Sequence, residues 1–231
     1  VAGGAVFVGA QSEIMKNNTF YNTDFIQNKA VGGETCLIDT SCNINGGAVF
    51  ISNSNTTMDG CKFTENEAIA GSASASTEGG AIYSTTDSLP GSGHHLTLIQ
   101  CSFDSNTARS NSENGKSGGA GGALCSHGTP VTVQGTCNFT NNSVGDLSML
   151  FYDYSSSGGA IYFDGRAALL IESAVFSGNR AYGGGGGALY ATAFDSLEVE
   201  KSEFLDNQAL SSYTIEAMGG AVLISHPADH A

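Results

Sequence analysis

Short alternations of apolar and polar residues recur along the chain. Leu96-Thr97-Leu98, Val131-Thr132-Val133, Leu169-Leu170-Ile171 and Leu197-Glu198-Val199 each set two apolar residues on one side of an extended segment. No apolar face recurs at a spacing of three to four residues, and Gly, Asn, Ser and Thr fill the stretches between, so helices are not predicted. The pattern predicts a chain of short strands.

Two motifs order those strands. Gly-Gly-Ala followed by Val, Ile or Leu begins at Gly3, Gly46, Gly79, Gly121, Gly158, Gly186 and Gly219. Between consecutive copies lies one Phe-x-x-Asn: Phe25 to Asn28, Phe63 to Asn66, Phe103 to Asn106, Phe139 to Asn142, Phe176 to Asn179 and Phe204 to Asn207. Successive Gly-Gly-Ala copies start 28 to 43 residues apart, so the motifs are constant while the joining segments vary. That is the sequence form of a solenoid. Two residues before each phenylalanine stand Thr23, Cys61, Cys101, Cys137, Ala174 and Ser202, all small, and five after it stand Ala30, Ala68, Ala108, Val144, Ala181 and Ala209. The Val131-Thr132-Val133 alternation lies one position further from its phenylalanine than the others, which predicts a bulge or a longer corner before Cys137.

Short parallel strands joined by tight corners satisfy their backbones only by pairing each rung with the rungs above and below. The expected fold is all-β: a right-handed parallel β-helix of about six coils, ~30 Å long at ~4.8 Å per rung. One coil corresponds to each motif pair, with two shorter coils of ~18 residues per pair as the alternative. Phe25, Phe63, Phe103, Phe139, Phe176 and Phe204 would then form an internal aromatic ladder, and Asn28, Asn66, Asn106, Asn142, Asn179 and Asn207 an amide ladder. Segments such as Gly71 to Glu78, Arg109 to Ser117 and Ser148 to Ser157 are expected to leave the barrel as loops. Residues 1–231 read as one β-helical segment, an internal piece of a longer repeat protein.

Charge narrows the partners. Eight Lys and Arg stand against 22 Asp and Glu, a net charge of −14, and this field repels nucleic acid and anionic lipid. The longest apolar stretches, such as Ala167 to Ile171, are far short of a membrane span. The chain holds 32 glycines without the every-third-residue period of collagen, and its hydrophobic content of 40% is too high for plain disorder.

Chemistry is sparse. Arg109, Arg166 and Arg180 fall in different repeats, and Asp164-Gly165-Arg166, the nearest approach to a catalytic cluster, reads as a polar turn. His94-His95 reads as a solvated loop, and the calcium-binding nonapeptide of acidic solenoids is missing. No catalytic residue, cofactor or specific metal site is expected, although loop carboxylates such as Asp146, Asp153 and Asp195 would attract cations loosely. Cys61, Cys101 and Cys137 share one repeat position and are expected to stack, as free thiols in preference to a disulfide. Cys36 and Cys42 are placed for a local bridge. Asn17, Asn55, Asn138 and Asn141 head N-glycosylation sequons, which matter if a eukaryote secretes the chain.

The alternating motifs from Gly3 to Ile224 resemble the chlamydial polymorphic membrane protein repeat, and similar repeats occur in extracellular proteins of some eukaryotic microbes. The resemblance implies an extracellular or cell-surface location and a role as adhesin passenger or fibre component. Expected partners are other coils or copies of the same or a related surface protein, and a host receptor or glycan. The competing expectation is a β-helix enzyme that cleaves polysaccharide. Regularity concentrated in the rungs, with no constellation converging among the polar residues, favours a non-enzymatic scaffold.

Overall fold

A computed structural model describes residues 3–9, 17–32, 43–71, 75–86, 93–110, 118–146, 156–211 and 216–225. Cys36 and Cys42 lie outside the described residues, as do Asp153, His226 and His230. Every strand pairing among the described residues is parallel, and the strands stack into one seven-stranded, three six-stranded and one three-stranded sheet. The fold is a right-handed parallel β-helix of about six coils.

Register settles the coil length. Val6 pairs with Val49 and Val49 with Ile82, so successive Gly-Gly-Ala strands are direct neighbours and one motif pair makes one turn. Each turn runs through a glycine sheet (Val49–Ser52 in the second coil), an aliphatic sheet (Asn55–Asp59), a phenylalanine sheet (Lys62–Thr64) and an alanine sheet (Glu67–Ala70). In three coils a two-residue strand then precedes the next glycine corner: Ile44–Asn45, Thr77–Glu78 and Gly119–Ala120.

The glycine pair is dictated by backbone crowding. Gly79 has φ +67°, and a Cβ on Gly80 would overlap the Gly122 carbonyl of the next coil and the backbone of Thr107. Corners at the phenylalanine sheet follow a different rule. The residues three before and two after each phenylalanine adopt left-handed backbone, yet glycine fills only Gly60 and Gly178 among them. Residues such as Gln27, Glu65, Gln100 and Lys201 take the strained conformation instead. Each costs about 1–2 kcal/mol, which the surrounding rungs must offset. The displaced register before Cys137 is a longer corner: Val131 and Val133 stay level with Leu96 and Leu98, and Gly135 and Thr136 are both left-handed.

Inside the tube, Phe25, Phe63, Phe103, Phe139, Phe176 and Phe204 stack with centroid separations of 4.7–4.8 Å and interplanar angles of 1–7°. Leu96, Leu98, Ile51, Ile82 and Phe163 close the core around them. A second cluster gathers Ala30, Ala68, Ala108, Val144 and Ala181 under the alanine sheet, with Ile44 beside them.

The asparagines form a continuous chain of hydrogen bonds. Asn106 Oδ1 accepts from the backbone N–H and the amide of Asn66, while Asn106 Nδ2 donates to the Phe63 carbonyl and to Asn142 Oδ1. The same pattern links Asn28 to Asn66 and continues through Asn142 and Asn179 to Asn207. It satisfies polar groups that burial would otherwise penalise.

Cys61, Cys101 and Cys137 are buried free thiols. Cys101 Sγ donates to the Met58 carbonyl, and the backbone N–H of Cys101 donates to Cys137 Sγ at 3.3 Å. Ser202 plays the same accepting part for the N–H of Ala174, at 3.1 Å.

Three expected loops are shorter than the sequence suggests. Ala75 is buried and Thr77–Glu78 is a strand, so the Gly71–Glu78 segment rejoins the barrel before its end. Arg109 and Ser110 belong to a strand paired with Ile69 and Ala70, and Ser157 bridges to Ala120. Backbone pairing with neighbouring coils pulls these flanks inward.

Candidate functional site

Among the described residues, a group of histidine, cysteine and carboxylate atoms close enough to share one ligand lies on the outer side of the glycine sheet. The second residue of each glycine strand forms a column: Phe7, Phe50, Tyr83, Cys125, Tyr162, Tyr190 and Leu223. Phe7 with Phe50, Phe50 with Tyr83, and Tyr162 with Tyr190 stack at 5.1–5.2 Å with angles of 6–26°. Cys125 leaves one slot without a ring. His127, two residues on along the same strand and on the same side, leans into that slot. It lies 5.6 Å from the Tyr83 ring and 5.7 Å from that of Tyr162, tilted by 54–56° to both.

Its nitrogens account for the tilt. Nδ1 is 3.4 Å from Asp164 Oδ2, on the residue paired with His127 across the sheet. Nε2 is 3.4 Å from Cys125 Sγ and 3.6 Å from Glu78 Oε2. The Tyr162 hydroxyl donates to the same Asp164 carboxylate at 3.4 Å. Glu78 Oε2 is sealed from water and has no hydrogen-bond partner. A cleft of about 240 Å³ opens beside the group, bordered by Ser76, Gly119, Ser157, Tyr162 and Tyr190.

Burial disfavours a charged imidazole at His127, but Cys125, Asp164 and Glu78 outweigh it and raise the pKa. Burial pushes the Cys125 thiol up to about 11. The hydrogen bond from His127 holds Asp164 below the usual carboxylate value, against the effect of burial. Burial also pushes the Tyr83 hydroxyl up to about 12.

Asp164 thus joins His127, a histidine the sequence reading passed over, while Arg166 stands exposed in the turn. Glu78 is far from Cys125 and His127 in the chain, but part of the signal was present: an aromatic column interrupted by cysteine, with histidine two residues on. The expectation of a solvated His94-His95 loop needs correction. His94 is buried, and His95 opens the strand His95–Ile99 with Nε2 3.0 Å from Thr132 Oγ1. The chain turns into the aliphatic sheet sooner than its proline and glycines suggest.

Among the sequons, Asn17 and Asn55 are register partners whose amides hydrogen-bond at 3.2 Å. Asn138 and Asn141 are exposed on and beside the phenylalanine sheet.

The ladders, corners and column together describe a repeat, and comparison with known proteins bears on which. The Chlamydia polymorphic membrane protein repeat model matches residues 136–164 and 173–192, a shorter stretch than the alternating motifs occupy. No curated protein and no solved structure matches the chain significantly.

Proposed function

We propose that this chain is a non-enzymatic stretch of a large secreted or cell-surface protein, a stiff rod that presents variable segments for adhesion or for building a fibre. The observation that carries the reading is where identity between repeats is spent. Every repeated residue serves rung packing: the stacked phenylalanines, the linked asparagines and the crowded glycine corners. The segments between motifs differ in length and sequence from coil to coil, as suits surfaces free to engage different partners. A solenoid adds length at constant cross-section, so many modest contacts sum to firm attachment. Similarity to the chlamydial repeat supports the same direction.

At −14, favoured partners are neutral, basic or glycan surfaces, or further copies of the same or a related protein. In a eukaryotic source the exposed Asn138 and Asn141 would carry glycans. The test is removal of residues 111–117, leaving the Thr107–Ser110 strand whole. We expect an unchanged melting temperature and weaker attachment to cells or to a fibre. Cleavage of a polysaccharide by the purified segment, abolished by Asp164→Asn or Arg166→Ala, would replace this reading with the enzyme.

A further inference from the structure

We propose that Glu78 Oε2, Cys125 Sγ and His127 Nε2 together bind one divalent cation of the zinc class, with a fourth coordination position facing the cleft. The three atoms lie within 4.8 Å of one another. A tetrahedral ion with bonds of about 2.0–2.3 Å to nitrogen, oxygen and sulfur sets its ligands about 3.3–3.6 Å apart. The two separations from His127 Nε2, 3.4 Å to sulfur and 3.6 Å to oxygen, match those edges.

The surroundings point the same way. A ligating imidazole usually donates its other N–H to a carboxylate, which fixes ring orientation. Asp164 supplies that carboxylate at Nδ1, and the Tyr162 hydroxyl holds it in turn. The column rings that flank the slot stack within 26°, but His127 forgoes stacking and turns Nε2 toward the sulfur and carboxylate. Glu78 Oε2, buried without a hydrogen bond, is an acceptor that a cation would satisfy. A mixed sulfur, nitrogen and oxygen set selects zinc or a similar transition ion over calcium or magnesium, which take oxygen ligands. Binding releases the thiol proton, and the imidazole ligates through Nε2 while Nδ1 faces Asp164. Ser157, Tyr162 and Tyr190 border the open position, where water or a donor from a partner completes the shell.

Cobalt(II) serves as the spectroscopic probe. The chelator-stripped segment should take up one equivalent and develop a sulfur-to-cobalt band in the near ultraviolet. One equivalent of zinc should displace it, and a large excess of calcium or magnesium should not. The band should vanish in Cys125→Ser and persist in Cys61→Ser, Cys36→Ser and Cys42→Ser. Asp164→Asn should retain the band with affinity about 10–100-fold weaker, the mark of a positioning residue. A folded wild-type segment that shows no band overturns the proposal, whatever the variants do. So does a band that survives Cys125→Ser or disappears with Cys36→Ser or Cys42→Ser. Attachment assays do not read this site, so its failure leaves the scaffold reading standing.

Discussion

Two ladders of rings run along this molecule, one inside the tube and one outside the glycine sheet. The inner ladder is six phenylalanines with neighbouring planes within 7° of parallel. The outer column mixes phenylalanine, tyrosine, cysteine and leucine; its own ring pairs lie at 6–26°, and His127, leaning into the cysteine slot, meets its neighbours at 54–56°. Backbone spacing is common to both, so the difference lies in what surrounds the side chains. The rings of Phe63, Phe103, Phe139 and Phe176 are enclosed on all sides, and any other shape opens a cavity or clashes. An outer ring has one edge toward solvent or the cleft, so polar atoms can be accommodated there. Identity is enforced where there is no room, and chemistry accumulates where there is some.

Substitutions can break that contrast. Phe103→Ala, between two filled neighbours, should cost on the order of 3–5 kcal/mol. Asn106→Leu should be comparable. It strands the buried N–H of Asn66 and deprives the Phe63 carbonyl of a donor, at about 1–3 kcal/mol for each group left unpaired. Urea denaturation gives both values, and a loss under ~1 kcal/mol at either site would show that the inner ladder is not the structural spine. Phe50→Ala, half-buried in the outer column, should cost less, about 1–2 kcal/mol, because part of the ring already faces out. Equal destabilisation by Phe50→Ala and Phe103→Ala would erase the distinction between the ladders.

The smallest effect is a slope with pH. Burial holds the His95 imidazole below its usual value, so the unfolded chain takes up that proton first as the pH falls through about 6.5. Its neutral form supports the fold fully above that pH, and the support is lost between the unfolded value and the lower folded one. His95→Gln should flatten the decline in urea midpoint between about pH 7.5 and pH 5. An unchanged slope would mean that His95 is as solvated as its loop-like sequence suggests.

Much of the rod was legible in the residues themselves. Phenylalanine and asparagine return at constant spacing from each other, and a pattern that strict needs a stack in which like residues meet. The glycine pair announced a crowded corner for the same reason. Corner conformations were less visible, because Gln27, Glu65, Gln100 and Lys201 have no preference for left-handed backbone and are held there by the pairing of adjacent rungs. Loop limits were also hidden, since Thr77–Glu78 has a strand's hydrogen bonds only once Ile44–Asn45 and Gly119–Ala120 lie beside it.

The candidate site shows the division most sharply. Composition and motif spacing determined a parallel β-helical rod with a net negative charge, because those properties follow from residues that repeat or add. Sequence spacing puts Cys125 and His127 on one side of a strand, but their meeting with Glu78 and Asp164 was decided by the tertiary structure. Each occurs once, and segments of unequal length separate the coils that carry them. Only the stacking of those coils brings a carboxylate from one turn against the thiol and imidazole of the next, with the supporting aspartate one rung beyond.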